Sequence, residues 1–238
     1  MKKGFVVSDL HLFTKRSHAS SLQRHLDAAM DWADFVVLNG DIFDFKWSVL
    51  PTVEDTIQAS LDWLERLARV DPSAELHYLL GNHDALEPFV DRLPALADRV
   101  PNFHWHPTHL RLGSAFFTHG DLRPASTVAG DPIRKIERRV VQKRELMHDS
   151  YNYIVALKVH HVVRVTHGRK QSVRKMLRLL ATLDPALLEG VTDVYFGHTH
   201  VPFSDHREGG YRFHNTGSAI RGLPFNPQTL LLPEDSWD

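Results

Sequence analysis

The sequence predicts an α/β fold that begins with a mainly parallel sheet. Short apolar runs at 5–7, 35–38 and 76–80 alternate with helical patterns at 20–33 and 53–70. Short apolar runs indicate buried strands, and apolar residues that recur every three or four positions indicate helices. Strands that alternate with helices form crossover units, in which neighbouring strands run parallel.

Each helical pattern places its apolar side chains on one face. In the first pattern this face consists of Leu22, Leu26, Ala29, Met30 and Ala33. In the second pattern it consists of Ile57, Leu61, Leu64, Leu67 and Ala68. We therefore expect both helices to pack one side against the sheet.

Shorter strands are predicted further along the chain. Runs at 103–106, 109–112 and 115–117 read as strands, and Gly113-Ser114 indicates a hairpin turn between the last two. Gly209-Gly210 indicates a second hairpin near the end of the chain. The predicted strands around this hairpin are 193–196, 202–206, 211–215 and 229–232.

Residues 124–188 have a helical and basic character. Two helices are expected, at roughly 131–165 and 170–182, with a break around 166–168. Thirteen Lys or Arg residues fall between positions 133 and 178, opposed only by Glu137, Glu145 and Asp149. We interpret the chain as a single domain, 1–238, with a basic helical cap inserted at about 124–190. The alternatives for this block are a solvated helical face or a surface for an anionic partner.

Composition limits the kinds of site that the chain can form. It has 238 residues, no cysteine and a formal net charge of −1. Disulfides and thiolate metal sites are excluded, so any metal must be bound by His, Asp, Glu or Asn, which suit Mn, Fe, Zn or Mg. The apolar run after Met1 is too short for a signal peptide, and no run approaches the roughly 18 residues of a spanning helix. We expect an unprocessed soluble protein of the cytoplasm.

Polar motifs follow five of the predicted strands. Because strand ends converge on one edge of an open α/β sheet, we expect these side chains to lie together. Such a cluster of carboxylates and imidazoles is costly unless cations compensate it, and two divalent ions with a bridging carboxylate would do so. The motifs are Asp9-x-His11, Gly40-Asp41-x-x-Asp44, Gly81-Asn82-His83-Asp84, His119-Gly120-Asp121 and Gly197-His198-x-His200.

The five motifs, in this order, resemble the calcineurin-like metallophosphoesterase superfamily. The resemblance implies a four-layer α/β-β/α sandwich of mixed sheets and a hydrolase in which water, activated by two metal ions, attacks a phosphoester. It assigns Asp9, His11, Asp41 and His200 to the first metal. It assigns Asp41, Asn82, His119 and His198 to the second metal, with Asp41 as the bridge.

The resemblance also implies roles beyond metal ligation. His83 is expected to face the substrate, stabilise the phosphoryl oxygens and protonate the leaving group. Asp84 is expected to hydrogen-bond His83 and fix its orientation. We interpret Asp44 mainly as a residue that caps its turn. The role of Asp121, structural or functional, is left open. The motif glycines and the segment Asn215-Thr216-Gly217-Ser218 are interpreted as ordinary turn residues.

Within the superfamily the motifs look most like those of the UDP-2,3-diacylglucosamine hydrolases. That resemblance implies pyrophosphate cleavage, manganese (with Fe or Zn as other suitable ions), a glycolipid substrate and peripheral contact with the inner membrane face. Two departures weaken the substrate assignment: His83 replaces the Arg of the best-known members, and Phe45-Lys46-Trp47 replaces an acidic run. The alternatives are a nuclease or general phosphodiesterase, with nucleic acid not excluded as a partner, and a non-catalytic scaffold of the same fold.

Overall fold

The fold is built from two five-stranded mixed sheets. The computed structural model of the chain describes residues 1–122, 134–143 and 168–234. In the first sheet the order is β10-β1-β2-β3-β4; β1 to β4 are parallel, and β10 pairs antiparallel with β1. These strands are β1 (Lys2–Val7), β2 (Phe35–Asn39), β3 (Glu75–Leu79), β4 (Phe103–His106) and β10 (Gln228–Leu232). The predicted parallel start of the sheet is confirmed.

The second sheet has antiparallel edge strands around a parallel centre. Its order is β5-β6-β7-β9-β8, and β6, β7 and β9 run parallel. Gly209 and Gly210 have φ values of 59° and 88°, which form the predicted tight turn between β8 and β9. The strands are β5 (His109–Leu112), β6 (Ala115–Thr118), β7 (Asp193–Tyr195), β8 (Phe203–Glu208) and β9 (Tyr211–Asn215).

Four helices cover the outer face of the first sheet. The predicted pair are α1 (Gln23–Trp32), which follows a 3-10 turn, and α2 (Val53–Ala68), whose first turn is capped by the Thr52 side chain. Two short helices were not predicted, α3 (Glu87–Val90) and α4 (Leu93–Arg99). Both carry a proline in the first helical turn, where proline favours a helix start.

Buried apolar residues divide the protein into four layers. Between the sheets lie Val37 and Leu79 from the first sheet, against Phe117 and Tyr195 from the second. A larger cluster fills the space between the first sheet and its helices. A third cluster joins the second sheet to α5 (Arg169–Leu180). The predicted α/β-β/α sandwich is therefore confirmed.

The predicted helix at 131–165 is wrong over 134–143, and the remainder of that range lies outside the described residues. Residues 134–143 contain no helix. Their backbone bonds to other loops instead: Glu137 N donates to Ala85 O at 2.9 Å, and Lys143 N donates to Lys46 O at 3.0 Å. The prediction at 170–182 is confirmed by α5, which the short helix α6 (Pro185–Leu188) follows. The cap at 124–190 as a unit stays a prediction.

Membrane-spanning helices are absent from the described ranges, because none of the helices there combines enough length with enough apolar character.

Asp193 provides a test of the second sheet that does not involve the candidate site. Its carboxylate lies 2.9 Å from His214 Nε2 and accepts a hydrogen bond of 2.5 Å from Arg212, both on β9. Burial raises the pKa of Asp193, but hydrogen bonds, first from His214, outweigh burial and lower the pKa to about 2. A carboxyl whose pKa is lowered on folding stabilises the protein above its unfolded value of 3.8 and loses this contribution as the pH falls.

We therefore expect Asp193→Asn to destabilise the protein by about 1 kcal/mol at pH 6, allowing for solvent screening. The difference in unfolding free energy between wild type and variant should shrink as the pH falls from 5 toward 2. Urea unfolding at several pH values measures it. A difference that does not change with pH would contradict the proposed charge interaction.

Candidate metal centre

The predicted site residues lie where the carboxyl ends of both sheets meet. Hydrogen bonds join the loops within each sheet: Asp9 N donates to Gly40 O, and Gly197 N donates to His119 O, both at 3.0 Å. Asn39, at the end of β2, joins the two sheets. Its carbonyl accepts a 3.0 Å bond from His119 Nδ1, and its side chain donates to Tyr195 O at 3.2 Å.

Three compact groups of potential ligands occur in the described residues: two consist entirely of predicted metal ligands, and the other, His11, Asp44 and His83, shares His11 with one of them. Asp9, His11 and His200 form the first of the two predicted groups. One donor atom from each lies within 4.8 Å of the others. His200 Nε2 is 3.1 Å from Asp9 Oδ1 and 3.4 Å from His11 Nε2. Asp9 and His11 are fully buried, so the protein shields the Asp9 carboxylate from water.

Asp41, His119 and His198 form the second group, by the same distance criterion. His119 Nε2 is 3.1 Å from Asp41 Oδ2. The two histidines of Gly197-His198-x-His200 thus enter different groups. This is the division expected from the family resemblance, although metal ligation itself stays a prediction.

The chemistry of the two groups fits divalent cations. His119 Nδ1 bonds a carbonyl, which can only accept, so Nε2 is the nitrogen directed at Asp41. Within the described ranges, this buried nitrogen has no hydrogen bond of suitable geometry, despite its 3.1 Å distance from Asp41. His119 Nε2 and Asp41 Oδ2 lie close together without a hydrogen bond between them, an arrangement that suits two ligands of one metal ion. A set of nitrogen and oxygen donors without sulfur matches Mn, Fe or Zn.

Burial and neighbouring charges shift the pKa values of the second group in different directions. Burial lowers the pKa of His119, but the charge of Asp41 outweighs burial and raises the pKa to about 10. Burial raises the pKa of Asp41, but the neighbouring His119 and His83 charges reverse this and hold it well below its usual range. His198 differs, because burial and the nearby His119 charge lower its pKa to about 4.

Asn82 is the remaining predicted ligand. It is exposed, whereas Gly81 before it is buried and His83 after it is partly exposed. The segment is nevertheless tied to the second group, because His83 N donates to Asp41 Oδ1 at 2.8 Å. The role of Asn82 as a ligand therefore stays a prediction.

The expected contact between Asp84 and His83 is wrong, because Asp84 bonds to the backbone. Its carboxylate accepts hydrogen bonds from Gly81 N at 2.5 Å and Ile42 N at 2.9 Å. Burial first, and then the charge of Asp41, raise the pKa of Asp84 to about 6. Asp84 holds the His83 turn against the Asp41 turn and does not orient the imidazole directly.

Asp44 takes the place that was expected for Asp84. Its Oδ2 lies 3.1 Å from His83 Nδ1 and 3.5 Å from His11 Nδ1, and accepts a bond of 2.7 Å from Arg16. Burial raises the pKa of Asp44, but hydrogen bonds from His11 and His83 lower it below its usual range. Asp44 caps its turn by accepting a hydrogen bond from Trp47 N, and its second oxygen lies beside two site histidines, of which His83 is the closer.

The same contacts determine the protonation of His83. Burial lowers its pKa, but the charges and hydrogen bonds of Asp41 and Asp44 raise it to about 9. Its side chain keeps 29% of its surface exposed, so a ligand at the site edge can reach it.

Asp121 anchors the basic segment to the site. Arg134 donates to both of its carboxylate oxygens, at 2.7 and 2.9 Å, and also bonds the carbonyl of Pro107. Both charged side chains are almost fully buried. One cation of the basic block is therefore structural, and the charge count along the sequence gave no signal of this.

Hydrogen bonds from residues outside the predicted ligand set hold Asp9 and its neighbouring loop in place. Ser8 Oγ donates to Asp9 Oδ2 at 2.5 Å, and Ser8 N donates to Thr216 Oγ1 at 3.1 Å. Ser218 Oγ donates to Asp9 O at 3.0 Å, and Asn215 donates to Gly197 O at 2.9 Å. The segment 215–218 is therefore more than an ordinary turn. Its hydroxyl side chains, which directly follow a predicted strand, were the sequence feature that could have indicated this supporting role.

Gly81 and Gly197 lie directly against the acidic residues of the site. A Cβ atom added to Gly81 would overlap Asp41, and one added to Gly197 would overlap Asp9 and Ser8. The interpretation of these glycines as turn residues was incomplete, because each is required by the close approach of a carboxylate.

Five of the predicted ligands have left-handed backbone conformations. Their φ values lie between 48° and 65°, a region that residues other than glycine adopt rarely. Strain of this kind persists only where the surrounding structure enforces it, and it concentrates at functional sites. The five residues are Asp9, His11, Asp41, His198 and His200.

Comparison with known proteins identifies the family to which this chain belongs. The sequence profile of the calcineurin-like phosphoesterases matches residues 5–202, so the chain belongs to the calcineurin-like phosphoesterase family and is a metal-dependent phosphoesterase. No curated protein matches the sequence significantly.

Two solved structures are similar over nearly the whole chain. One is a dimetal phosphatase from Danio rerio, with 14% identity, a TM-score of 0.48, and coverage of 98% of this chain and 93% of that chain. The other is an uncharacterised predicted phosphoesterase from Streptococcus pneumoniae, with 16% identity, a TM-score of 0.38, and coverage of 97% and 83%.

The left-handed conformation of His200 gives a test of the strain at the site. At φ 55°, any side chain with a Cβ is disfavoured by roughly 1–2 kcal/mol, whereas glycine is not. We expect metal-free His200→Gly to be about 1 kcal/mol more stable than His200→Ala, as measured by urea unfolding with a chelator.

The neighbouring residue Thr199 is the matched control, because its φ is not left-handed. There the order should reverse, with the alanine variant more stable than the glycine variant. The same order at both positions would show that His200 is not strained.

Proposed function

We propose that the two ligand groups hold a pair of divalent metal ions, manganese being the preferred metal, and that the protein hydrolyses a phosphoester or pyrophosphate bound between them and His83. The observation that carries this proposal is the division of the ligands. Asp9, His11 and His200 converge on one point, while Asp41, His119 and His198 converge on a second. When bound, two such ions neutralise the phosphoryl oxygens and lower the pKa of water.

His83 is the residue that we assign to proton transfer. Its Nδ1 faces Asp44, so Nε2 is left for the substrate. The neighbouring carboxylates of Asp41 and Asp44 raise its pKa and so favour the protonated ring, which can bind a phosphoryl oxygen and then donate its proton to the departing oxygen. Arg16 donates to the same oxygen of Asp44 that faces His83, which favours the ionised carboxylate and holds it in place beside the ring.

A cavity beside the second group supports a substrate with an apolar portion. Its volume is about 200 Å³, and its lining includes Gly120, which directly follows His119 in the chain. Lys175 and Arg178 on α5 supply positive charge at its border. Its apolar lining consists of Leu122, Met176, Leu179 and Phe196.

We infer that the substrate combines a charged phosphate group with an apolar group, as UDP-2,3-diacylglucosamine or a related nucleotide-linked glycolipid does. The apolar group would enter the cavity while its phosphates lie between Lys175 and the metal ions. Exposed cations on 134–143, which include Lys135, Arg138 and Arg139, would favour contact with an anionic membrane surface.

The same exposed cations also favour a polyanionic substrate. A nuclease or general phosphodiesterase acting through the same metal centre is therefore the second candidate function.

Metal content and activity test the metal centre. We expect purified protein to bind close to two ions of Mn, Fe or Zn per chain, and Asp41→Ala to abolish hydrolysis of bis-p-nitrophenyl phosphate. Asp31→Ala, an exposed position on α1, is the control and should retain full activity. Undiminished hydrolysis by wild type in excess chelator would disprove the two-metal mechanism.

The cavity is tested by charge reversal on α5. Loss of one charge-assisted contact is worth about 1.5 kcal/mol, which is roughly a tenfold change. We expect Lys175→Glu to lower kcat/KM for UDP-diacylglucosamine about tenfold and to leave bis-p-nitrophenyl phosphate hydrolysis nearly unchanged. Lys170→Glu, on the same helix but outside the cavity lining, should have no such effect. Rapid cleavage of single-stranded DNA without glycolipid turnover would favour the second candidate.

A further inference from the structure

A cluster of histidines lies on the edge of the first sheet, apart from the candidate metal centre. His77 on β3 is directly opposite His104 on the edge strand β4. His106 follows two residues later, so His104 and His106 point to the same face of the sheet. Glu75, two residues before His77, shares that face. His104 is exposed and His106 is partly exposed, so the cluster is accessible from solvent.

His77 connects the cluster through both of its ring nitrogens. Its Nδ1 is 3.2 Å from His106 Nε2, and its Nε2 is 3.2 Å from Glu75 Oε2. The His104 ring stacks beside it at a centroid distance of 5.2 Å. A carboxylate can only accept, so Nε2 carries the hydrogen and Nδ1 presents its lone pair toward His106.

The lowered pKa values of His104 and His106 favour the neutral forms of these two imidazoles. Burial and then the charge of His77 lower the pKa of His106 to about 3. Burial and His77 also lower the pKa of His104. Neutral imidazole is the form that binds metal ions.

The spacing of the two nitrogens matches that of two ligands on one ion. Zinc binds imidazole nitrogen at about 2.0–2.1 Å with tetrahedral angles, which places two such nitrogens roughly 3.3 Å apart. The distance between His77 Nδ1 and His106 Nε2 is 3.2 Å. Metal-binding histidines also usually donate their other N–H to a carboxylate, as His77 does to Glu75.

We propose that His77 Nδ1 and His106 Nε2 bind a third divalent ion of the zinc, copper or nickel class, with Glu75 orienting His77 and water completing the coordination. Binding moves the hydrogen of His106 from Nε2 to Nδ1, so the ring stays neutral. No residue of the catalytic groups is involved, so this site is independent of the proposed function.

An ion at this position would join β4 to β3. The strand β4 is an edge of the first sheet, and its last residue, His106, accepts a bond from Leu80 N at 3.1 Å. Leu80 precedes Gly81-Asn82-His83-Asp84, which carries the substrate-facing histidine. The third ion would therefore stiffen the strand on which the His83 turn depends.

Zinc stoichiometry tests the proposal. Equilibrium dialysis of the full chain should give one zinc ion fewer per chain for His106→Gln than for wild type. His25→Gln, an exposed histidine on α1, should match wild type. The difference of one ion is expected whether or not the catalytic groups bind zinc, so failure here is distinguishable from failure of the proposed function. Equal zinc binding by wild type and His106→Gln would show only a hydrogen-bonded histidine pair.

The variant Glu75→Gln tests whether Glu75 orients His77 or binds the ion itself. This variant should keep the zinc stoichiometry of wild type but bind the third ion 10–100-fold more weakly, because an orienting carboxylate is lost. Zinc should also raise the melting temperature of wild type more than that of His106→Gln, with circular dichroism confirming that both are folded. An unchanged affinity in Glu75→Gln together with equal melting shifts would overturn the assignment.

Discussion

The site depends on how firmly the two sheets are held together at their carboxyl edge. Each sheet supplies part of both ligand groups, so a small slip of one sheet would separate Asp41 from His119. Asn39 prevents this by accepting a hydrogen bond from His119 Nδ1 and donating one to Tyr195 O. The first of these bonds also fixes which His119 nitrogen faces Asp41, so one contact sets both the packing of the layers and the chemistry of a ligand.

Charge is the second constraint on this edge. Asp9, Asp41 and Asp44 are fully buried, and no fold would gather them without positive charge nearby. Arg16 supplies part of this charge through its hydrogen bond to Asp44, and divalent ions held by the two predicted ligand groups would supply more.

The sequence was sufficient to locate the edge but not to assign its contacts. The strand ends were predictable, because apolar runs followed by Asp, Asn and His mark both the end of a strand and the residues that gather there. The partner of His83 was not, because Asp44 and Asp84 are equally plausible from spacing. Only the path of the turn directs Asp84 to the amides of Gly81 and Ile42. The left-handed ligands were equally hidden, since neither Asp nor His requires that conformation.

The error at 134–143 had a different cause. Its charge pattern resembles that of a helix, but the segment is held by contacts with three separate loops. Arg134 is paired with Asp121, Glu137 bonds to Ala85, and Lys143 bonds to Lys46. Local pattern cannot report such long-range partners, because it describes only what a segment would do alone.

These attachments have a consequence for the predicted insertion. Residues 134–143 lie within it and are joined to the His119, His83 and Asp44 loops, so they are part of the frame of the site. An exchange of the insertion between relatives would disturb catalytic geometry unless 134–143 were retained. Replacement of the whole insertion would therefore also change the frame of the candidate metal centre.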